Sequence, residues 1–419
     1  MTFEFISSPK SDSGAKADWT ALATGDFGVE VATANPLGDR QFEQLISPEV
    51  RSVFASSEIS LVNLEAPLSG GVSAIAKVGP AIALDPRSID LLSNLGVKVA
   101  TLANNHGMDF GPTGLESTIH ACNKARIETT GGGRNRDQAM KSVRLTTNNF
   151  RVSILSFCEA EFGIACEDSA GTAGISEPQA LAAVMAEREQ SDVLIVAAHG
   201  GVEFSPLSPI QRARQLRSFI DAGADCVIGN HPHVPQAWEF YRSGLIFHSL
   251  GNFLFRLNSG TNPMARWSLM PRIHFRGKQI LGFEAIAVAL DSAGCVKPSE
   301  GYHAQIAHLK RLSQLLSDWK NAEQLWLSAA MYLWDHRYRG LMSLAQGSIT
   351  GRVRSFLRRL RSGERGGNEA AWRKMLLLNL LRAESHRWTI ESAQMALLDP
   401  PSLQNAGELA DLFNAQLKL

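Results

Sequence analysis

The chain predicts a layered α/β fold followed by an all-helical carboxy-terminal section. From Trp19 to about Glu300, short apolar runs of strand type alternate with helical patterns, the arrangement that yields sheets covered by helices. From about Tyr302 onward, aliphatic and Trp residues recur at three- and four-residue spacing instead. The strand-rich run near Met270–Leu290 that closes the first part points to mixed rather than purely parallel sheets. These observations divide the chain into a polar, poorly ordered leader (1–17), an α/β domain (18–300) and a helical accessory module (301–419).

Taken in order, "TALATGD" reads as a strand ending in a turn. A helix is expected around Ser47–Ser57, with Ser47 as N-cap, Pro48 at the first helical position and Glu49 in the first turn. "ISLVNLE" is a strand, Pro86–Leu95 a helix, "VKVATLANNH" a strand, Thr113–Lys124 a helix, and "IETTGGG" an extended run ending in glycines. "RVSILSFCE" is a strand, residues 177–189 a helix, and "DVLIVAAHGG" the next strand. Pro209–Ala222 is amphipathic, with Ile210, Leu216, Phe219 and Ile220 among charged residues. "DCVIGNHPH" and "LIFHSLGN" follow. In the tail, "AQIAHLKRLSQLLSDW", "NAEQLWLSAAMYLWDHRYRGLMSLA" and "EAAWRKMLLLNLLRAESHRWTIESAQMALL" read as helices, with "SGERGGN" as a linker.

Charge is balanced, 41 Lys plus Arg against 41 Asp plus Glu, which argues against nucleic acid as a partner. Locally, "GRVRSFLRRLRSGER" (residues 351–365) is arginine-rich and suits either a solvated helix face or hinge, or peripheral contact with an acidic partner or membrane headgroups. Five scattered cysteines without a C-x-x-C pair fit reduced thiols rather than a disulfide framework. The amino terminus lacks the basic start and apolar stretch of a signal peptide, and no apolar run reaches the roughly 18 residues of a membrane span. The expectation is a cytoplasmic protein.

Six apolar runs end in chemistry. Asp26 follows "ALATG", Glu65 follows "ISLVNL", and Asn104, Asn105 and His106 follow "VKVATLA". His199 follows "DVLIVAA", His231 and His233 follow "DCVIGN", and His248 follows "GLIF". Carboxyl ends of strands in open α/β sheets form the crevice where ligands sit, so these residues can converge. Carboxylates, an Asn carbonyl and imidazoles, with no thiol, suit Mn, Fe, Zn or Mg. On extended backbone, His231 and His233 would project to one side, able to chelate one metal or serve two neighbours. Two metals roughly 3.5–4 Å apart can share a hydroxide and clamp attacking and leaving oxygens. Around them, Asp109 and Gly111 make "NNHGMDFG" an ordered turn before a helix. Glu203 and Asn252 are supporting or substrate-contacting candidates, and His248 suits a supporting or core role equally.

At these residues the chain resembles the CapA family, the poly-γ-glutamate synthesis (capsule) proteins of the calcineurin-like metallophosphoesterase superfamily. The resemblance runs from about Ala21 to Leu290 through "TGD", "NLE", "LANNHGMDFG", "HGGVEF", "VIGNHPHVPQ" and "SLGNFLF", in the family's order. It implies a four-layer α/β/β/α sandwich and a site for two divalent ions at Asp26, Glu65, Asn105, His199, His231 and His233, with Glu65 bridging. It also implies His106 as catalytic histidine. The implied activity is metal-dependent hydrolysis, a metal-bound hydroxide attacking a phosphoester or a γ-glutamyl amide in capsule or poly-γ-glutamate metabolism. The rival reading is a non-catalytic assembly protein of a polymer-synthesis complex with a structural metal site. Two positions depart from the family pattern: Phe27 and Gly28 follow Asp26 where Asp-x-His is usual, and Gly200 stands where Trp is usual.

Overall fold

Alternation along each strand decides the architecture. The computed structural model describes residues 2–11, 16–34, 37–176, 178–256, 263–346, 369–401 and 403–418. The arginine-rich segment 351–365 and the expected linker 362–368 lie outside them. Strands are β1 (Glu4–Ser7), β2 (Trp19–Val29), β3 (Ile59–Leu64), β4 (Val99–Thr101), β5 (Glu128–Thr130), β6 (Gly132–Gly133), β7 (Val143–Thr147), β8 (Phe150–Cys158), β9 (Gly171–Thr172), β10 (Val193–His199), β11 (Cys226–Asn230), β12 (Trp238–Tyr241), β13 (Gly244–Phe247), β14 (Asn252–Arg256), β15 (Trp267–Arg276), β16 (Gln279–Leu290) and β17 (Val296–Pro298).

One sheet runs β1-β16-β15-β2-β3-β4-β5, with β14 joined to β2 and β17 to β16; the second runs β12-β13-β11-β10-β8-β7. In the first, β2 through β5 are parallel and β15, β16 and β1 antiparallel. In the second, β13, β11, β10 and β8 are parallel between antiparallel edges β12 and β7. Both sheets are mixed, as the sequence predicts.

Successive side chains point to opposite faces of a strand. Ala21, Ala23, Ile59, Leu61 and Val99 therefore meet Val152, Ile154, Val193, Ile195, Ile228 and Phe247 between the two sheets. Their neighbours Leu22, Val62, Leu64 and Ala100 pack outward under the helices Pro48–Ala55, Arg87–Leu95 and Gly111–Lys124. On the other sheet, Leu155, Phe157, Leu194, Val196 and Val227 pack under Pro178–Arg188 and Ile210–Asp221. The result is the four-layer α/β/β/α sandwich that the resemblance implies. Each buried aliphatic contributes about 1.5–3 kcal/mol, and Trp19 stacks on Phe275 at 4.0 Å to seal one end of the central layer.

Two local expectations need correction. Residues 4–7, placed in a poorly ordered leader, form β1 and pair with β16 from Glu4–Ala285 to Ser7–Gly282, because the β16 edge offers unpaired backbone. The third tail segment is not one helix but two, Glu369–Arg382 and Glu384–Leu398, broken at Ala383, whose extended φ/ψ of −63° and 121° lets the second helix start afresh.

The tail helices pack onto the sandwich. Ile306, Leu309, Leu312 and Leu316 of Tyr302–Ser317 enter the layer between the sheets. Trp326, Ala329 and Ala330 of Trp319–Leu333 join Val202, Ile210, Ala393 and Leu409. That helix then widens into a π turn at Trp334–Tyr338 before Arg339–Ala345, a local irregularity of the kind that re-aims side chains toward functional sites.

Candidate metal centre

The strand ends converge. Asp26 on β2, Glu65 just past β3, Asn105 and His106 past β4, His199 ending β10, and His231 and His233 past β11 all sit at one mouth of the sandwich, each at most 8% exposed. Asp26 Oδ1 accepts from Asn63 Nδ2 at 2.8 Å, and Asp26 Oδ2 lies 3.2 Å from His233 Nδ1. His199 is held by Asn63 on Nδ1 (3.2 Å), while its Nε2 meets Asn105 Oδ1 and His231 Nδ1, both at 3.1 Å.

Glu65 lies at the centre. Its Oε1 is 3.9 Å from His199 Nε2 and 3.8 Å from His233 Nε2. Both carboxylate oxygens are fully buried, yet among the described residues neither finds a donor. Ligand atoms of Glu65, His199 and His231 lie within 4.8 Å of one another, and so do those of Asp26, Glu65 and His233. Glu65 belongs to both groups. A buried carboxylate without a donor costs free energy unless a cation or a proton compensates it. The donor set of carboxylate oxygens and imidazole nitrogens fits divalent ions of the Mn, Fe or Zn type.

Electrostatics point the same way. Burial first, then the charge of Asp26, raises Glu65 well above the ordinary carboxyl range. Burial and the neighbouring His231 hold His199 well below the ordinary imidazole range, and burial drives His231 down to about 3. Neutral imidazoles are the form that binds metal. At His233 burial also opposes charge, but the bond to Asp26, with Asn252 and Glu203, outweighs it and raises the pKa.

The backbone at His231 and His233 corrects the extended reading. Strand β11 stops at Asn230, and both histidines adopt positive φ, 99° and 60°. Left-handed backbone at a non-glycine residue is costly and typical of functional sites. It splits the pair: His231 joins His199, whereas His233 joins Asp26 and Asn252, whose Oδ1 is 2.9 Å from His233 Nδ1.

The remaining candidates divide. Asn104 ties the turn, giving Nδ2 to Leu64 O and accepting the His106 amide. His106 Nδ1 donates to Asp109 Oδ2 at 2.7 Å, and Asp109 also accepts from Lys77 Nζ and the Ile82 amide. Burial and then Lys77 lower His106 despite Asp109. Glu203 pairs with Arg337 at 2.9 Å; burial opposes its charge, but Arg337 and the histidines hold it down to about 2. His248 stands apart from the cavity lining, bound to Glu239 at 3.1 Å, and is a core histidine.

Both departures from the family pattern have a steric counterpart. A Cβ on Gly28 would lie 2.9 Å from the Phe255 ring and 3.2 Å from Glu65 O, and Phe255 itself stacks on His233 at 5.2 Å. A side chain at Gly200 would meet Glu159 Cβ at 3.2 Å, so Glu159 fills that space.

Glu159, Glu161, Asn63 and Lys77 escape the sequence reading. Glu159 directly follows "RVSILSFC" and Glu161 comes two residues later, so the same strand-end rule finds them. With His231 they form a third potential ligand group. Burial, with neighbouring acids, pushes Glu159 up to about 8, and burial raises Glu161 to about 7. Above the centre opens a cavity of about 680 Å³, lined by Lys77, His106, Glu161, Glu203, His231 and His233 on one side and by Arg337, Tyr338, Asn379 and His386 of the tail helices on the other. No local sequence signal marks those four.

The family model of the bacterial capsule synthesis protein PGA_cap matches residues 20–257, more than half of the chain. The chain belongs to this family. It is 31% identical over 174 residues to a capsule biosynthesis protein CapA of Bacillus anthracis, covering 40% of this chain and 42% of that one. It is 32% identical over 173 residues to a PGA biosynthesis protein CapA of Bacillus subtilis, covering 40% and 45%. A probable polyglutamine synthesis accessory protein of Mycobacterium tuberculosis is 28% identical over 210 residues, covering 47% and 55%. The chain spans about half the length of the curated relatives it matches. Among solved structures, a 5'-nucleotidase from Candida albicans shares 12% identity at a TM-score of 0.40, over 70% of this chain and 55% of that one. Among the described residues, no helix is long and apolar enough to cross a membrane.

Proposed function

We propose that this PGA_cap family member is a metal-dependent hydrolase that cleaves a phosphoester, or a γ-glutamyl amide, in capsule or poly-γ-glutamate metabolism. The observation that carries the reading is Glu65, a carboxylate buried without donors between two imidazole-bearing groups. Asp26, Glu65 and His233 would hold one divalent ion, and Glu65, Asn105, His199 and His231 the other. Bound there, such ions would lower the pKa of water toward about 7 and neutralise charge on the substrate.

The chain's own groups supply the rest. Asp109 fixes the His106 ring by accepting from Nδ1, and Lys77 holds Asp109 in place, leaving Nε2 to take or give a proton at the leaving group. Asn252 and Asp26 orient His233, and Asn63 orients His199. The tail helices and Lys77 wall the cavity and limit water. Phosphoester chemistry comes first because a metal pair and the cations Lys77 and Arg337 on the cavity wall suit a tetrahedral anion; the relatives' names favour the amide as the second substrate class.

The test is turnover of model phosphoesters and of γ-glutamyl peptides by the full-length protein with Mn2+, beside His231→Ala. Metal-dependent turnover lost in the variant supports the reading. Equal activity in both proteins refutes it. Stoichiometric Mn2+ with no turnover across the panel would favour the non-catalytic assembly role, with which the closed position at Gly28 agrees.

A further inference from the structure

The tail helices reach the metal centre itself, an inference that rests on the reading above. His231 turns Nδ1 toward His199 and faces Glu159 Oε1 with Nε2 at 3.4 Å. Glu159 is in turn gripped by Ser385, whose amide donates to Oε2 and whose hydroxyl donates to Oε1, both at 3.0 Å. Ser385 lies in the first turn of the helix Glu384–Leu398, where backbone N–H groups have no partner within the helix and the dipole favours an anion. Glu384 fastens the same junction by accepting the Ala160 amide at 3.0 Å. Glu159 and Ser385 are 2% and 1% exposed, so water does not screen these bonds.

We propose that Ser385 is a positioning residue of the metal centre: it fixes the Glu159 carboxylate, which fixes the His231 ring, so that docking of the tail helices and metal binding strengthen each other. Metal-ligating histidines generally donate their second ring N–H to a carboxylate, which sets tautomer and orientation. Here the carboxylate is anchored 226 residues away in sequence, on a different structural layer. Coupling of this kind is reciprocal: whatever the docked helix adds to metal affinity, the metal adds to helix docking. A Ser385 that only fastened the helix would leave metal affinity unchanged.

Mn2+ titration calorimetry on the full-length protein compares wild type with Ser385→Ala, Ser385→Thr, Glu159→Gln and His231→Ala. Hydrogen exchange over residues 384–398 is followed in wild type with and without Mn2+. The expectation is affinity about 3–10-fold weaker for Ser385→Ala and about 10–100-fold weaker for Glu159→Gln, by analogy with groups that support metal ligands. Affinity returns toward wild type in Ser385→Thr, which keeps the hydroxyl, and Mn2+ slows exchange in the helix. Wild type that binds no Mn2+, or binds it no better than His231→Ala, removes the metal centre and this inference with it. Wild type that binds normally while Ser385→Ala matches it, or while exchange in 384–398 ignores Mn2+, overturns the relay alone. The exchange experiment needs no variant, so a Ser385→Ala protein that fails to fold leaves the test intact.

Discussion

Glu65→Gln separates the cost of the buried carboxylate from its use. Without metal, burial raises the Glu65 pKa above its ordinary value of 4.5. A carboxyl whose folded pKa is raised favours folding most below its unfolded pKa and loses that advantage as pH rises toward the folded value. Metal-free wild type therefore carries a penalty at pH 7 that Gln, which does not titrate, lacks. Gln keeps a buried polar amide there but removes the charge that burial and Asp26 oppose, so the metal-free variant should melt higher than metal-free wild type. With metal the order reverses. At a hundredfold excess of Mn2+ over Kd, each site adds about 2.7 kcal/mol, about 5 kcal/mol for two. At about 2 °C per kcal/mol for a large domain, wild type should gain about 10 °C. Glu65 belongs to both ligand groups, so its loss should weaken each by at least about a hundredfold, the upper end of what supporting groups cost. Each site then adds only about 0.4 kcal/mol, and the variant gains about 2 °C. Scanning calorimetry at pH 7, in EDTA and in MnCl2, reads both effects. A variant that gains as much from Mn2+ as wild type does would refute the argument.

Other consequences are equally direct. His106→Ala should lower kcat by about 10²–10⁴-fold while Mn2+ affinity by calorimetry stays near wild type; a parallel loss of metal would instead make His106 a ligand. Burial holds His308 and His386 down to about 4. Their folded pKa lies below the unfolded value near 6.5, so the tail keeps full stability above pH 6.5 and loses it as pH falls toward 4; hydrogen exchange over 302–317 and 384–398, corrected for intrinsic rate, should rise across that window, and pH-independent protection would contradict it. Gly28→Ala drives a methyl against Phe255, so it should cost about 1–3 kcal/mol in a denaturant titration. A Gly28→Ala protein as stable as wild type would mean that Phe255 has room to move.

Much of the centre was legible because its chemistry lies at strand ends, and strands announce themselves by apolar runs. Asp26, Glu65, Asn105, His199, His231 and His233 were found that way, and the structure brings all six to one mouth. His248 obeyed the same rule yet faces Glu239 in the core, because strand-end position does not say which way a side chain turns. The His231–His233 pair shows a subtler limit. Two-residue spacing predicts a shared direction only on extended backbone, and positive φ at both residues divides them instead. Glu159 and Glu161 were within reach of the rule. Ser385, Arg337, Tyr338 and His386 were not, since helical periodicity marks an apolar face and says nothing about polar residues at a helix start or a π turn.

By itself, then, the sequence determined the layering and the inventory of donors: period-two alternation sorts side chains between faces within a few residues, an effect of local backbone geometry. Only the tertiary structure decided which donors share a partner, that Glu65 stands between both groups, and that the tail helices close the cavity and grip Glu159. Glu159 and Ser385, for one, lie 226 positions apart. Such relations follow from how whole layers pack, and no local pattern in the chain encodes them.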